Sequence, residues 1–248
     1  MKRILGHIYF VYALSVFALT LCIVFLITLL FYWVKEPKRS ILLHPIFRTW
    51  MQVYMPLVFC RVVVRGKQHF RKNENYVIIC NHNSLADPPI STPFIPFANK
   101  TLAKIELSKI PIFGLVYKSG SILVDRKNEK SRKDSVLQMQ RVLDMGLNLC
   151  LYPEGTRNKT GKGLQPFFNG AFITALKAKK NIVPALIFNS SALFPGKPAF
   201  WAWPQKLSID FLEPLSINEF SIDAVNELKD KAYAIMSTYY TAHEQERK

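Results

Sequence analysis

Acidic side chains are scarce in this sequence. Only 17 Asp and Glu stand against 33 Lys and Arg, for a formal charge of +16 at neutral pH. An excess of that size implies an anionic partner: nucleic acid, an acidic membrane surface or a phosphorylated substrate. Cysteine is sparse too. Cys22, Cys60, Cys80 and Cys150 lie far apart in apolar segments and form no C-x-x-C pair. This spacing excludes a disulfide framework and a zinc ribbon, and predicts reduced, buried thiols in a cytosol-facing domain. There is no internal repeat and no low-complexity linker, which rules out a repeat array or a string of tethered modules. A G-x-S-x-G elbow is also missing, which counts against an α/β hydrolase built on Ser84 and His82. Half of the residues are hydrophobic, a high share for a nucleic-acid binder. Basic and apolar together, the composition favours a membrane surface.

At 248 residues, the chain has room for one large domain or one domain with an appendage. Ile8 to Val34 is an uncharged run, longer than the ~20 residues a helix needs to cross a bilayer. It exceeds a signal-peptide core and no small-x-small cleavage site closes it, so it reads as a retained anchor. Tyr9, Tyr12, Tyr32 and Trp33 stand near its ends, where amphipathic rings prefer the interface. Lys2 and Arg3 precede the run; Lys35, Lys38 and Arg39 follow it. The basic carboxyl flank favours a catalytic domain on the cytoplasmic side. A helix that dips into one leaflet and returns also accounts for basic residues at both ends. Ile41–Cys60 is a second apolar stretch with Trp50, Tyr54 and Phe59, interrupted by Pro45, Arg48 and Pro56. It reads as an interfacial or packed helix forming a hairpin with the first, or equally as the first core helix of the following domain. Residues 1–60 are therefore expected to anchor, and 61–248 to form the working domain.

Beyond residue 60 the sequence alternates. Apolar, β-branched runs occur at Val62–Arg65, Tyr76–Cys80, Thr101–Ala103, Ile122–Val124, Asn148–Tyr152, Ile182–Phe188 and Leu207–Phe211. Helices are predicted between several of them. One is Pro88–Phe97 with Asp87 as its cap; another is Glu106–Tyr117, broken at Pro111. Ser131–Met145 carries Val136, Met139 and Leu143 on one face and ends at Gly146. Gly170–Lys179 follows, and then Ser221–Tyr240, with Ile222, Val225, Leu228, Ala232, Ile235 and Tyr239 on one face. Solidly apolar strands alternating with helices predict an α/β fold: a single, largely parallel mixed sheet flanked by helices. In such sheets ligands bind beyond the carboxyl ends of the strands, where His82 and Tyr152 fall.

The chemistry centres on Asn81-His82-Asn83-Ser84-Leu85-Ala86-Asp87, which follows an apolar run directly. A strand ending near His82 and a short turn bring the Asp87 carboxylate back to the imidazole. Such a carboxylate fixes the ring tautomer and stabilises the imidazolium, while the other ring nitrogen takes a proton from a hydroxyl. An H-x4-D spacing alone is a weak signal. It gains weight from Gly120-Ser121-Ile122-Leu123-Val124-Asp125-Arg126, from Tyr152-Pro153-Glu154-Gly155-Thr156-Arg157 and from Ile182-Val183-Pro184-Ala185-Leu186-Ile187. In this order, the four blocks resemble those of the glycerolipid acyltransferase family, in particular the lysophosphatidic acid acyltransferases.

The resemblance implies transfer of a fatty acyl group from an acyl-CoA or acyl carrier protein thioester to the free sn-2 hydroxyl of 1-acylglycerol 3-phosphate. The product is phosphatidic acid. It implies His82 as general base, Asp87 orienting it, and Arg126, Glu154, Gly155 and Arg157 holding the glycerol phosphate. Lys104 is a further phosphate candidate, and Val183 and Pro184 shape the apolar side of the pocket. It implies no metal and no resident cofactor. The partners are membrane lipids, a lysophospholipid acceptor and an acyl thioester donor, with no nucleic acid, at the cell membrane.

Physical chemistry qualifies some of these roles. Arginine forks suit a phosphate, whereas a bare Glu154 beside one is odd; it suits a substrate hydroxyl, or buttresses Arg126 or Arg157. Backbone N–H groups of the turn after His82 are candidate oxyanion donors. Asp87 also serves as a plain helix cap, and Arg126 and Arg157 as solvated surface charges. Lys127, Lys130, Arg132 and Lys133 form a solvated helix approach, or face anionic lipid or an acidic carrier protein. Two departures from the family pattern stand out: Tyr152 where phenylalanine is usual, which keeps the ring, and Leu123-Val124, which bears on acyl-chain fit. The alternatives are acylation of a different lysophospholipid, and a basic membrane-surface adaptor with no catalysis.

Overall fold

A computed structural model describes residues 1–195 and 198–246. Two long helices, α1 (Lys2–Leu30) and α2 (Lys38–Leu57), come first. The sheet strands are β1 (Arg61–Arg65), β2 (Val77–Cys80), β3 (Asn99–Lys104), β4 (Ser121–Val124), β5 (Asn148–Leu151), β6 (Ile182–Phe188) and β7 (Lys206–Phe211). Between them lie α3 (Asp87–Ser91), α4 (Phe113–Ser119), α5 (Glu129–Asp144), α6 (Gly170–Ala178) and α7 (Ser190–Leu193), with α8 (Val225–His243) last. The seven strands form one mixed sheet in the order β1-β7-β6-β2-β5-β3-β4. Only the β6–β7 pairing is antiparallel. The carboxyl ends of β2 to β6 therefore share one end of the sheet with the amino ends of β1 and β7.

The central strands are apolar on both faces because both faces are covered. Ile78, Cys80, Cys150, Val183, Ala185 and Ile187 point into a cluster with Met51 and Met55 of α2 and Ala13 of α1. Val77, Ile79, Leu149, Leu151, Ile182 and Leu186 point the other way, onto α5, α6 and α8. That is the period of two of a strand, read on two packed faces.

The hairpin is antiparallel. Tyr9 Oη donates to the Val58 carbonyl at 2.7 Å, Tyr12 Oη to Leu57 at 2.7 Å, and Trp50 Nε1 to Thr20 Oγ1 at 2.9 Å. The tyrosines satisfy carbonyls that the end of α2 leaves without helical partners. α1 is long and apolar enough to cross a membrane. It buries only a narrow stripe, Gly6, Ala13, Leu21, Val24 and Thr28. α2 presses Met51 and Met55 into the core while Ile41 and Val53 stay exposed, so it is at once a core helix and an apolar outer surface. Its Arg48 donates to the carbonyls of Pro93 (2.9 Å) and Ile95 (2.7 Å). In the turn of the hairpin, Glu36 accepts from Ser40 Oγ, Arg39 and the buried Lys100 Nζ.

Four expectations need correction. Cys22 is exposed, because it lies off the buried stripe of α1. α3 ends at Ser91 instead of reaching Phe97, since Pro93 and Pro96 have no N–H with which to continue the helical ladder. In α5 the buried face is Ser135, Met139, Val142 and Leu143, and Val136 is exposed. α8 starts at Val225, leaving Ile222 outside it and exposed.

Candidate active site

β2 delivers Asn81 and His82 to the sheet end. Asn81 is fully buried, and its side chain both donates to the Ile187 carbonyl (2.9 Å) and accepts the Ile187 N–H (2.7 Å). This amide ties the end of β2 to β6. The next peptide is held from both sides. The His82 N–H donates to Glu154 Oε1 at 2.8 Å, and the His82 carbonyl accepts the Asn158 N–H at 2.6 Å. This fixes the backbone from which the imidazole projects.

Asp87 Oδ2 accepts from His82 Nδ1 at 2.7 Å, and from the Asn83 and Ser84 N–H groups at 2.6 and 2.7 Å. Its carboxylate is fully buried, and Oδ1 has no partner among the described residues. Asp87 is not the helix cap: Ala86 is, and Asp87 is the first helical residue. Pro88 and Pro89 follow it and offer no N–H to a capping carboxylate, which leaves Asp87 free to turn back on the loop. The imidazole edge is 18% exposed. Nε2 has no partner among the described residues and is the nitrogen available to a hydroxyl. One face of the ring stacks on Tyr152, with centroids 4.4 Å apart and planes 29° apart.

The N–H groups expected to receive an oxyanion are already engaged. His82 donates to Glu154, and Asn83 and Ser84 to Asp87. The Ser84 hydroxyl is buried and accepts the Ala86 N–H, a turn-forming role rather than that of a nucleophile beside His82.

The residues expected to hold the phosphate fan out from His82 along the sheet end, over β5, β3 and β4. Glu154 is 2% exposed, and its second oxygen accepts the Gln165 N–H at 3.1 Å. Burial raises its pKa against those two backbone hydrogen bonds. Among the described residues it forms no ion pair with Arg126 or Arg157, and it fastens the His82 peptide to its own loop. Gly155 takes a positive φ of 68°, and an added Cβ would meet the Phe168 ring at 3.0 Å. Its carbonyl accepts from Arg126 Nη1, so Arg126, exposed at the end of β4, bridges to the β5 loop. Arg157 is exposed with no side-chain partner among the described residues. Lys104, at the end of β3, pairs with Glu106 at 3.2 Å on the surface. Val183 and Pro184 are buried within β6, side by side with Ile78 and Ile79 of β2. Lys127, Lys130, Arg132 and Lys133 are exposed around the start of α5.

Sequence reasoning assigned no role to Asn158, nor to Asn81 beyond its place in the motif. The usable signal was a polar residue directly after an apolar strand, where a buried amide is needed to close the sheet end.

A family model described as Acyltransferase matches residues 61–188, just over half of the chain. A 1-acyl-sn-glycerol-3-phosphate acyltransferase of Cocos nucifera is 30% identical over 176 residues, 70% of this chain and 56% of that protein. The 1-acyl-sn-glycerol-3-phosphate acyltransferase alpha of Mus musculus is 30% identical over 182 residues, 73% of this chain and 64% of that protein. The matched stretch thus spans between about half and two thirds of these relatives' own length. The fold is that of the crystal structure of the 1-acyl-sn-glycerophosphate (LPA) acyltransferase of Thermotoga maritima. The TM-score is 0.82 at 21% identity, over 98% of this chain and 97% of that one. The chain belongs to the Acyltransferase family, and its relatives are the 1-acyl-sn-glycerol-3-phosphate acyltransferases.

Proposed function

We propose that this chain moves a fatty acyl group from the thioester of acyl-CoA or acyl carrier protein to the sn-2 hydroxyl of 1-acylglycerol 3-phosphate. The product is phosphatidic acid. The observation that carries this reading is the His82–Asp87 pair at 2.7 Å with Nε2 left open, at the end of the sheet where Arg126, Arg157 and Lys104 also emerge. His82 Nε2 takes the hydroxyl proton as the oxygen attacks the thioester carbonyl. The tetrahedral oxyanion collapses and the C–S bond breaks. The proton passes from His82 to the departing thiolate, so that a free thiol leaves. A thioester is reactive enough for this step to need only a base and correct placement of two amphiphiles.

Arg126, Arg157 and Lys104 supply the positive field for the glycerol phosphate. Arg126 keeps donors to spare beyond the Gly155 carbonyl, because a guanidinium has five. Glu154 and Gly155 act one step back, by fixing the His82 peptide and the Arg126 fork. Val183 and Pro184 build the floor of the sheet beneath the site. Residues 1–60 serve as the anchor in the cell membrane and 61–248 as the acyltransferase domain on the cytoplasmic side, supported by α1 and its basic flanks.

The test is purified protein with lysophosphatidic acid and acyl donors on both carriers, wild type against His82→Ala. The reading expects phosphatidic acid from wild type and none above background from the variant. A folded His82→Ala protein with undiminished transfer would remove the base from the mechanism.

A further inference from the structure

Tyr152 directly follows β5, and it does more than supply an aromatic ring beside the base. Its plane lies against the imidazole of His82, 4.4 Å between centroids. Its hydroxyl meets Ser91 Oγ at 2.8 Å. Ser91 is the last residue of α3, the short helix whose first residue is Asp87. The contact therefore joins three separate pieces of chain: the end of β5, the loop after β2 that bears the base, and the helix that bears its carboxylate. Burial pushes the Tyr152 phenol pKa well up, and a buried phenol needs a hydrogen-bond partner. Ser91 provides it, and Ser91 Oγ in turn accepts from Cys150 Sγ at 3.9 Å. Asp87 holds the imidazole at one edge only. A ring held at one edge by a single hydrogen bond can still swing about that bond, and a face-on aromatic stops the swing.

We infer that Tyr152 is a positioning residue for the base. Its ring clamps the face of His82, and its hydroxyl locks the clamp to the Asp87 helix through Ser91. The inference rests on the acyl-transfer reading for its kinetic consequence, but the clamp itself can be read without activity. Misplacing a reacting group by about 1 Å costs roughly 10²-fold in rate. Tyr152→Leu is accordingly expected to lower kcat on the order of 10- to 100-fold, with KM for both substrates close to wild type. Tyr152→Phe keeps the ring but loses the hydroxyl lock, and should fall between wild type and Tyr152→Leu. Ser91→Ala keeps the ring and removes the partner of the same lock, and should fall in the same intermediate range.

The independent readout is NMR of the histidine ring protons, with the His82 signals assigned by their loss in His82→Gln. A ring stacked on Tyr152 is shifted upfield. That shift should persist in Tyr152→Phe and vanish in Tyr152→Leu, with thermal midpoints recorded to verify that each variant is folded. Should Tyr152→Leu fail to fold, the wild-type shift and the Ser91→Ala rate decide. Wild-type His82 signals without an upfield shift would overturn the clamp. So would Tyr152→Leu with wild-type kcat, a loss confined to KM, or Ser91→Ala turning over at the wild-type rate. A clear upfield shift in a wild-type protein that transfers no acyl group would instead sink the acyl-transfer reading and leave the clamp standing.

Discussion

One carboxylate oxygen that accepts three hydrogen bonds, as Asp87 Oδ2 does, shapes the loop as well as holding the imidazole. An amide can keep its oxygen at that point only by placing its NH2 where Oδ1 now lies buried without a partner among the described residues, and it removes the charge that stabilises the imidazolium. Asp87→Asn should lower kcat by roughly 10²- to 10⁴-fold, the range associated with a positioned base, while KM changes little. Steady-state kinetics with both substrates varied measure this, and a kcat near wild type would disprove it. Glu154 makes a parallel case. Both its oxygens serve backbone N–H groups in a buried setting, and a glutamine can accept only one of them. Leaving a buried donor unsatisfied costs about 1–3 kcal/mol. Glu154→Gln should therefore unfold at lower denaturant by that amount and lose activity through the displaced His82 peptide. Unchanged stability would mean the carboxylate is not the fastener described. Arg157 is exposed and belongs to the opposite class. Arg157→Ala should raise KM for the phosphate-bearing acceptor more than for the thioester, and equal effects on the two would speak against a phosphate contact.

Among the elements, the turn between α1 and α2 is tied to the sheet by charge. Burial opposes ionisation of Glu36, but hydrogen bonds from Ser40, Lys100 and Arg39 outweigh it and bring its pKa from 4.5 down to about 2. A carboxyl with a lowered folded-state pKa adds stability above its unfolded pKa and loses it as pH falls through the folded one. The stability gap between wild type and Glu36→Gln should thus be full above pH 4.5 and close as pH approaches about 2. Thermal unfolding across that window tests it, and a gap that stays constant would show that the ion pair contributes nothing there. The strands were legible from composition because each one is covered on both faces and so is uniformly apolar. Helix limits were less legible. The end of α3 at Ser91 depends on the prolines after it, and the buried face of α5 is set by where it packs on β4, β5 and α6.

On the scale of the whole molecule, the sheet end that carries His82 also carries exposed apolar side chains. Phe59, Leu85, Phe168 and Phe200 are 72%, 63%, 68% and 75% exposed. Phe59 and Phe200 both sit at positive φ, a cost for bulky residues that the chain bears to turn these rings outward. Phe59 and Phe200 stand before β1 and β7, and Arg157, Lys104 and Arg126 stand across the same sheet end, beyond β5, β3 and β4. Apolar side chains and cations on one sheet end suit an anionic lipid surface, and that end presents His82 to an acceptor lying in the bilayer. Phe59→Ser with Phe200→Ser should slow transfer to acceptor in anionic vesicles by several-fold and leave transfer in detergent micelles unaltered. Equal rates in the two settings would deny these rings a part in docking.

Local order and composition were enough to place a long apolar helix near the amino terminus, seven strands in sequence and a histidine–aspartate motif at a strand end. Apolar period and motif spacing are properties of neighbouring residues, and those survive without any knowledge of the fold. Contacts between distant segments are another matter. That Glu154 reaches the His82 peptide across 72 positions, that Asn81 clasps β6 across 106, and that the ring of Tyr152 lies on that of His82 all follow from the order β6-β2-β5 in the sheet. Strand order is set by how two covered faces pack against helices, a long-range balance that no single stretch of residues encodes.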